Sequence, residues 1–161
     1  MRAFRLGLTL VFLTFPAVAQ VNVGFGGVTH DATQAIEVTS DTLSIDQTSG
    51  AAVFSGNVII LQGDLRMAAG DVRVVYATTD GRNDVQTVIA SGGVLVARGD
   101  DAAEGARAEY DVAGGLLTLS GDVLVTQGTT AISGDSMVVD MATGNGTVDG
   151  RVRTVLQSGD R

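Results

Sequence analysis

A chain of 161 residues with no Cys, no Lys, a single His and a net charge of −8 has room for one domain with a substantial core. Its composition excludes thiolate catalysis, Cys-ligated metals and disulfide staples. The acidic balance argues against nucleic acid, whose binding rests on cations neutralising phosphates, and against loose adsorption to an anionic bilayer.

The chain begins with Arg2 and Arg5, an apolar run from Leu6 to Phe15, and the small residues Ala17, Val18 and Ala19. This pattern predicts a cleaved export signal over residues 1–19. The apolar run, about ten residues long and ended by Pro16, is short of the roughly 20 a membrane-spanning helix needs. No Cys follows the cleavage site to carry a lipid. Beyond residue 19 the 18 Asp and Glu face 8 Arg, a balance of −10. Residues 20–34, "QVNVGFGGVTHDATQ", are glycine-rich without sustained periodicity and are expected as a flexible leader. The leader holds His30, so Ser-His-Asp catalysis and His-rich metal sites have no residues to build them.

From Ile36 onward short apolar alternations are broken by Gly, Asp, Asn or Ser, with no sustained helical spacing, which predicts an all-β chain. "SGNVIILQG" at Ser55 returns as "SGGVLVARG" at Ser91 and "SGDVLVTQG" at Ser120. The copies are 36 and 29 residues apart, the size of a stacked β unit. One face takes Ala52, Phe54, Val58, Ile60 and Gln62. The matching face takes Leu117, Leu119, Val123, Val125 and Gln127. Glycine weakens a strand interior unless the backbone must bend or approach something closely, so Gly56, Gly92 and Gly121 predict one bend per unit. Gly70-Asp71, Gly105-Ala106 and Gly134-Asp135 are expected as corners between successive strands. Two facing sheets of bent strands give a jelly-roll-like or solenoid-like sandwich. No Pro follows residue 19, so the terminal strand edges are not blunted by proline.

Nothing in the pattern marks a catalytic centre. Aspartates such as Asp100 and Asp101 fit turns, where the side chain bonds local backbone, and the glycine-rich stretches do not open helices, so they lack the context of a phosphate loop. The predicted interior is aliphatic, running from Ile36, Val38, Leu43 and Ile45 to Val139, with Phe54, Tyr76 and Tyr110 as its aromatics. A sealed core and a trough for hydrocarbon need these same residues, so both readings stand at this point.

The ordered series "AIEVTSDTLSID", "AVFSGNVIILQGDLRMAAGDVRV", "AEGARAEYD", "LLTLSGDVLVTQG", "ISGDSMVVD" and "RVRTVL" resembles the OstA-like family of periplasmic LptA-type lipopolysaccharide transport proteins. The likeness covers about Ala35 to Leu156. It implies a single domain over 35–156, with 157–161 as a tail, folded as an open, twisted, V-shaped β-jellyroll built from repeated bent strands. It also implies a non-enzymatic periplasmic carrier without cofactor, whose apolar groove shields the acyl chains of lipid A. Phe54, Val58, Ile60, Leu65, Met67, Leu117, Leu119, Val123, Val125, Ile132 and Met137 would line that groove. Ile36, Glu37 and Val38 would form the N-terminal edge. Arg151, Val152, Arg153, Thr154, Val155 and Leu156 would form the C-terminal edge of a head-to-tail homo-oligomer. That oligomer bridges LptC-type inner-membrane and LptD-type outer-membrane components for outer-membrane assembly, without nucleic acid. The alternatives are an LptC-type anchored partner of the same fold and a structural β-solenoid without lipid cargo. Arg66, Arg73, Arg82, Arg98, Arg107, Arg151 and Arg153 are the cations left for phosphate, each expected as a solvated surface residue. The segment "RGDDAAEGARAEY" is short and polar for the middle of a groove.

Overall fold

A computed structural model describes residues 21–25, 33–79 and 82–156. The export signal, His30, most of the leader and the 157–161 tail lie outside the described residues. Alternating Val, Ile, Leu and Thr, which fit a half-buried pleated surface, build eleven antiparallel strands among the described residues. These are β1 (Val21–Gly24), β2 (Glu37–Thr39), β3 (Thr42–Asp46), β4 (Ala51–Gln62), β5 (Leu65–Thr79), β6 (Arg82–Arg98), β7 (Asp101–Asp111), β8 (Leu116–Gln127), β9 (Thr130–Asp140), β10 (Asn145–Asp149) and β11 (Arg153–Leu156). They form one sheet in the order β1-β10-β9-β8-β7-β6-β5-β4-β2, with β3 also on β4 and β11 also on β9.

The sheet becomes a V because its ladder slips along one line. Register shifts fall between Ser55 and Val58, Ala68 and Asp71, Ser91 and Val94, Glu104 and Arg107, and Ser120 and Val123. A bulge bends its strand and increases twist, so a line of them makes a crease. On one side lies a first wing: β3, β10, β1 and one half of each long strand. On the other lies a second wing: β2, β11 and the remaining halves. At both ends of the sheet the edge strand breaks at the crease, β2 from β3 and β10 from β11.

The crease is written in backbone conformation. Gly56-Asn57, Gly92-Gly93, Gly121-Asp122 and Gly150-Arg151 all have positive φ at both residues. At Gly121, φ is +83° and a Cβ would stand 2.7 Å from that of Ala106 on the neighbouring strand. Only glycine meets both demands without strain. The two outermost bends are pinned alike. The Asp41 N–H donates to the Gly56 carbonyl at 2.9 Å, and the Asn57 side-chain amide donates to the Asp41 carboxylate at 2.8 Å. The Asp135 N–H donates to the Gly150 carbonyl at 3.1 Å, and the Arg151 guanidinium pairs with the Asp135 carboxylate at 2.8 Å.

Several expectations are corrected. There is one bent sheet, not two facing sheets. Gly70-Asp71, Gly105-Ala106 and Gly134-Asp135 do not separate strands: β5, β7 and β9 run through them, because a bulge absorbs the bend while the ladder resumes beyond it. Residues 21–24, expected within a flexible leader, form β1 on β10, since the alternation Val21-Asn22-Val23 suits an edge. Tyr76 is 38 % exposed, beside the register shift between Val75 and Tyr76. Arg98 is buried, not solvated.

Candidate functional site

Residues directly opposite in an antiparallel ladder share a face, so the pairings define what the inside of the V presents. On the first wing one unbroken row crosses the sheet through Leu43, Phe54, Val72, Ala90, Ala108, Leu119, Met137, Val148 and Val21. On the second, a row runs through Val38, Ile60, Met67, Val96, Ala103, Val125, Ile132 and Thr154. Val58, Leu65, Leu117 and Val123 belong to the same buried cluster, against which Phe54 is partly buried. All eleven residues expected to line a groove therefore lie on the inner face, brought together from β4, β5, β8 and β9. The middle of the inner face is not polar. β7 is continuous, and Ala103, Ala108 and Tyr110 point inward while Glu104 and Glu109 are exposed.

The inner face is covered along its length and uncovered at two diagonal ends. Leu117, Leu119, Val125 and Met137 have no exposed surface: in the free chain the interior side chains bury one another. By contrast Leu43 and Ile45, on β3 at the first wing's N-terminal end, are 55 % and 67 % exposed, and Leu156, on β11 at the second wing's C-terminal end, is 74 % exposed. Of the expected edge residues, the C-terminal set falls at the second of these ends, and the N-terminal set lies on the opposite edge of that same wing. Glu37 and Val38 are in β2, with Ile36 packed just before it. Arg153 to Leu156 form β11, with Arg151 at the crease and Val152 packed inward.

The rim of the second wing adds a feature that the sequence reading assigned only in part. Gln62, Arg98 and Gln127 hold the same slot in the three copies, each just before the hairpin glycine. Gln62 and Arg98 are buried, and burial demands partners. The Gln62 amide donates to the Gln34 carbonyl at 3.0 Å. The Arg98 guanidinium pairs with Asp64 at 3.0 Å. The Gln127 amide donates to Asp101 at 3.2 Å and to the Gly24 carbonyl. Aligning the copies on their glycines was the signal that could have moved Arg98 indoors. The inner face thus has an apolar bed and a polar lip.

The Asp46 carboxyl is held below its ordinary value by hydrogen bonds from the Ser49 hydroxyl and the Thr48 and Ser49 N–H groups, with a smaller contribution from Arg73. Burial pushes the Tyr110 phenol up, helped by the Asp111 charge. The bond to Asp135 raises Arg151 further. Among the described residues no group of three or more His, Asp or Glu is placed to hold a metal ion, and no helix is long and apolar enough to cross a membrane.

An open, twisted, antiparallel V with an apolar bed is the β-jellyroll architecture of lipopolysaccharide transport proteins. The chain belongs to the family described as LptA/(LptD N-terminal domain) LPS transport protein, whose profile it matches over residues 37–145. That match begins at β2 and ends at the first residue of β10, leaving β1 and β11 outside. Among curated proteins, an uncharacterised protein of Rhizobium meliloti (strain 1021) is 30 % identical over 105 residues, 62 % of this chain and 56 % of the relative. The chain therefore spans about half the length of that relative. Among solved structures, LptH, the LptA-homologous periplasmic component of the lipopolysaccharide transport device of Pseudomonas aeruginosa, superposes with a TM-score of 0.71 at 20 % identity. The alignment covers 80 % of this chain and 99 % of LptH, a likeness of fold.

Proposed function

We propose that this chain is a periplasmic lipopolysaccharide carrier that takes lipid A acyl chains between its two wings, leaves the sugars outside, and stacks end to end to bridge the inner and outer membranes. The observation that carries the reading is the buried apolar inner face of both wings, left uncovered at Leu43, Ile45 and Leu156. A sealed core has no use for apolar side chains left exposed at the ends of its inner face. A hydrocarbon guest exchanges contacts among side chains for contacts with itself, so the net gain comes from its own removal from water. At about 0.8 kcal/mol per methylene, a run of about ten methylenes gains roughly 8 kcal/mol, set against the cost of parting the wings. The polar lip of Gln62, Arg98 and Gln127 marks where acyl chain gives way to headgroup.

The edges support stacking. β11 runs from crease to rim and β2 from rim to crease, so β2 of a following copy meets β11 antiparallel, as edge augmentation requires. An edge contact that does not close on itself builds a filament. The predicted export signal and the likeness to periplasmic LptH support a periplasmic location, with LptC-type and LptD-type components as the terminal partners. The chemistry is binding without bond-making, and no cofactor takes part.

Native mass spectrometry of the exported protein with lipopolysaccharide tests the carrier. The expected result is a one-to-one adduct that Leu119→Asp and Ile60→Asp lose at temperatures where both variants remain folded. Absence of any adduct in the parent protein would leave the scaffold reading in its place. N-terminal sequencing should find Gln20 first; retention of residues 1–19 would point instead to an anchored partner of the same fold.

A further inference from the structure

The two C-terminal edges of the sheet are not alike. On the second wing β11 is exposed along its length. On the first wing β10 is covered by β1, with Val21 opposite Val148, Asn22 opposite Thr147, Val23 opposite Gly146 and Gly24 opposite Asn145. The strand is seated firmly: Val23 and Phe25 are buried, the Phe25 N–H donates to the Gly144 carbonyl at 2.6 Å, and Gln127 holds the Gly24 carbonyl.

β1 stands where the pattern of the sheet calls for a strand like β3. The bend at Asp149-Gly150-Arg151 is to β10 what Ser55-Gly56-Asn57 is to β4, with the same pair of positive φ angles. Counting back from the bend, Val148 matches Phe54 and Gly146 matches Ala52. β3 puts Leu43 opposite Phe54 and Ile45 opposite Ala52; β1 puts Val21 opposite Val148 and Val23 opposite Gly146. Both strands run from crease to rim, antiparallel to their partners, and both read apolar-polar-apolar. Each sets a β-branched residue over a small one, Ile45 over Ala52 and Val23 over Gly146. When copies stack head to tail, the strand arriving on β10 is β3 of the next copy, in this direction and register. Its Leu43 and Ile45 are the large apolar side chains left uncovered at that end.

Resting on the end-to-end stacking proposed above, we propose that β1 is a displaceable strand that occupies the joint on β10 until β3 of a second copy takes its place. The second wing's joint, β11 with the incoming β2, is open throughout, so a copy can dock by one wing and complete the other by strand exchange. A chain whose competent edge is exposed only part of the time associates more weakly by that fraction, so β1 sets the concentration at which filaments grow.

Asn22 and Thr147 face each other across β1 and β10, their side-chain oxygens 3.2 Å apart, and the chain has no Cys. Asn22→Cys with Thr147→Cys therefore locks β1 on oxidation and frees it on reduction. Sedimentation velocity over a concentration series should find that the oxidised chain, left with the second wing's joint alone, needs a higher concentration to associate than the reduced chain. Val23→Asp, which loosens β1, should associate at about tenfold lower concentration than the parent if β1 is docked about nine-tenths of the time, with an unchanged strand spectrum as its folding control. Equal association of oxidised and reduced chains overturns the exchange, as does a disulfide that forms between chains. If truncation after Asp149 still abolishes association in that case, stacking survives and only the exchange fails. If reduced, Val23→Asp and parent chains all stay monomeric, with or without lipopolysaccharide, the stacking reading fails and the exchange with it.

Discussion

Gly121 concentrates the residue-scale argument. Its φ of +83° costs an L-residue on the order of 1–2 kcal/mol, and a Cβ there meets Ala106 at 2.7 Å. Gly121→Ala should therefore destabilise the chain by about 2 kcal/mol or more. Adding Ala106→Gly should recover the steric part only, a coupling that urea unfolding of the two single variants and the double variant measures. Full recovery, or none, would contradict the division into two costs. The bends at 56, 92 and 121 were legible because the Ser-Gly slot repeats with apolar alternation on both sides. The fourth, at Asp149-Gly150-Arg151, is a fainter copy, because Asp replaces Ser and the apolar run after it is shorter. A cation is usually solvated, so sequence alone puts Arg98 outside; its partner Asp64 is 34 residues away in sequence, and only the fold brings them together.

At the scale of elements, the exposed strand β3 depends on its turn. The Asp46 carboxylate accepts from the Thr48 N–H at 2.9 Å, the Ser49 N–H at 3.3 Å and the Ser49 hydroxyl at 2.6 Å, and these bonds lower its pKa. Folding thus favours the ionised form. The stability this supplies is complete above the ordinary carboxylate value of 3.8 and is lost as the pH falls through the lower folded-state value. Amide exchange should accordingly show β3 opening in acid before β6 to β8. In Asp46→Ala, β3 should be less protected at neutral pH, with that acid step removed. Equal pH dependence in parent and variant would take the turn out of the account. The alternation of β4 and of β8 on either side of their glycines could be read directly from sequence. β1 could not: four residues carry too little periodicity, and their partners on β10 lie more than 120 residues along the chain.

For the whole molecule, the sequence left two readings open because a sealed core and a lipid trough require the same aliphatic side chains. The structure adds the distribution of exposure. The inner face is buried along the sheet and bare at opposite corners, at Leu43 and Ile45 on one wing and at Leu156 on the other. In the free chain this is a packed interior with unfinished ends. In the proposed function a neighbouring copy finishes them, and an acyl chain enters beneath. The family resemblance, carried by an ordered series of short motifs no one of which is specific alone, agreed with the profile match over 37–145. The edge strand β1 and the crease as a single line emerged only from the pairing of strands distant in sequence.

A photo-crosslinking side chain read in cells tests the central claim most directly, placed in turn at Val125 on the inner face, at Leu43 at the open end, and at Glu109 on the outer face of β7. The account expects lipopolysaccharide to be captured at Val125 and Leu43 and not at Glu109. Capture at Glu109 with none at Val125 would contradict it.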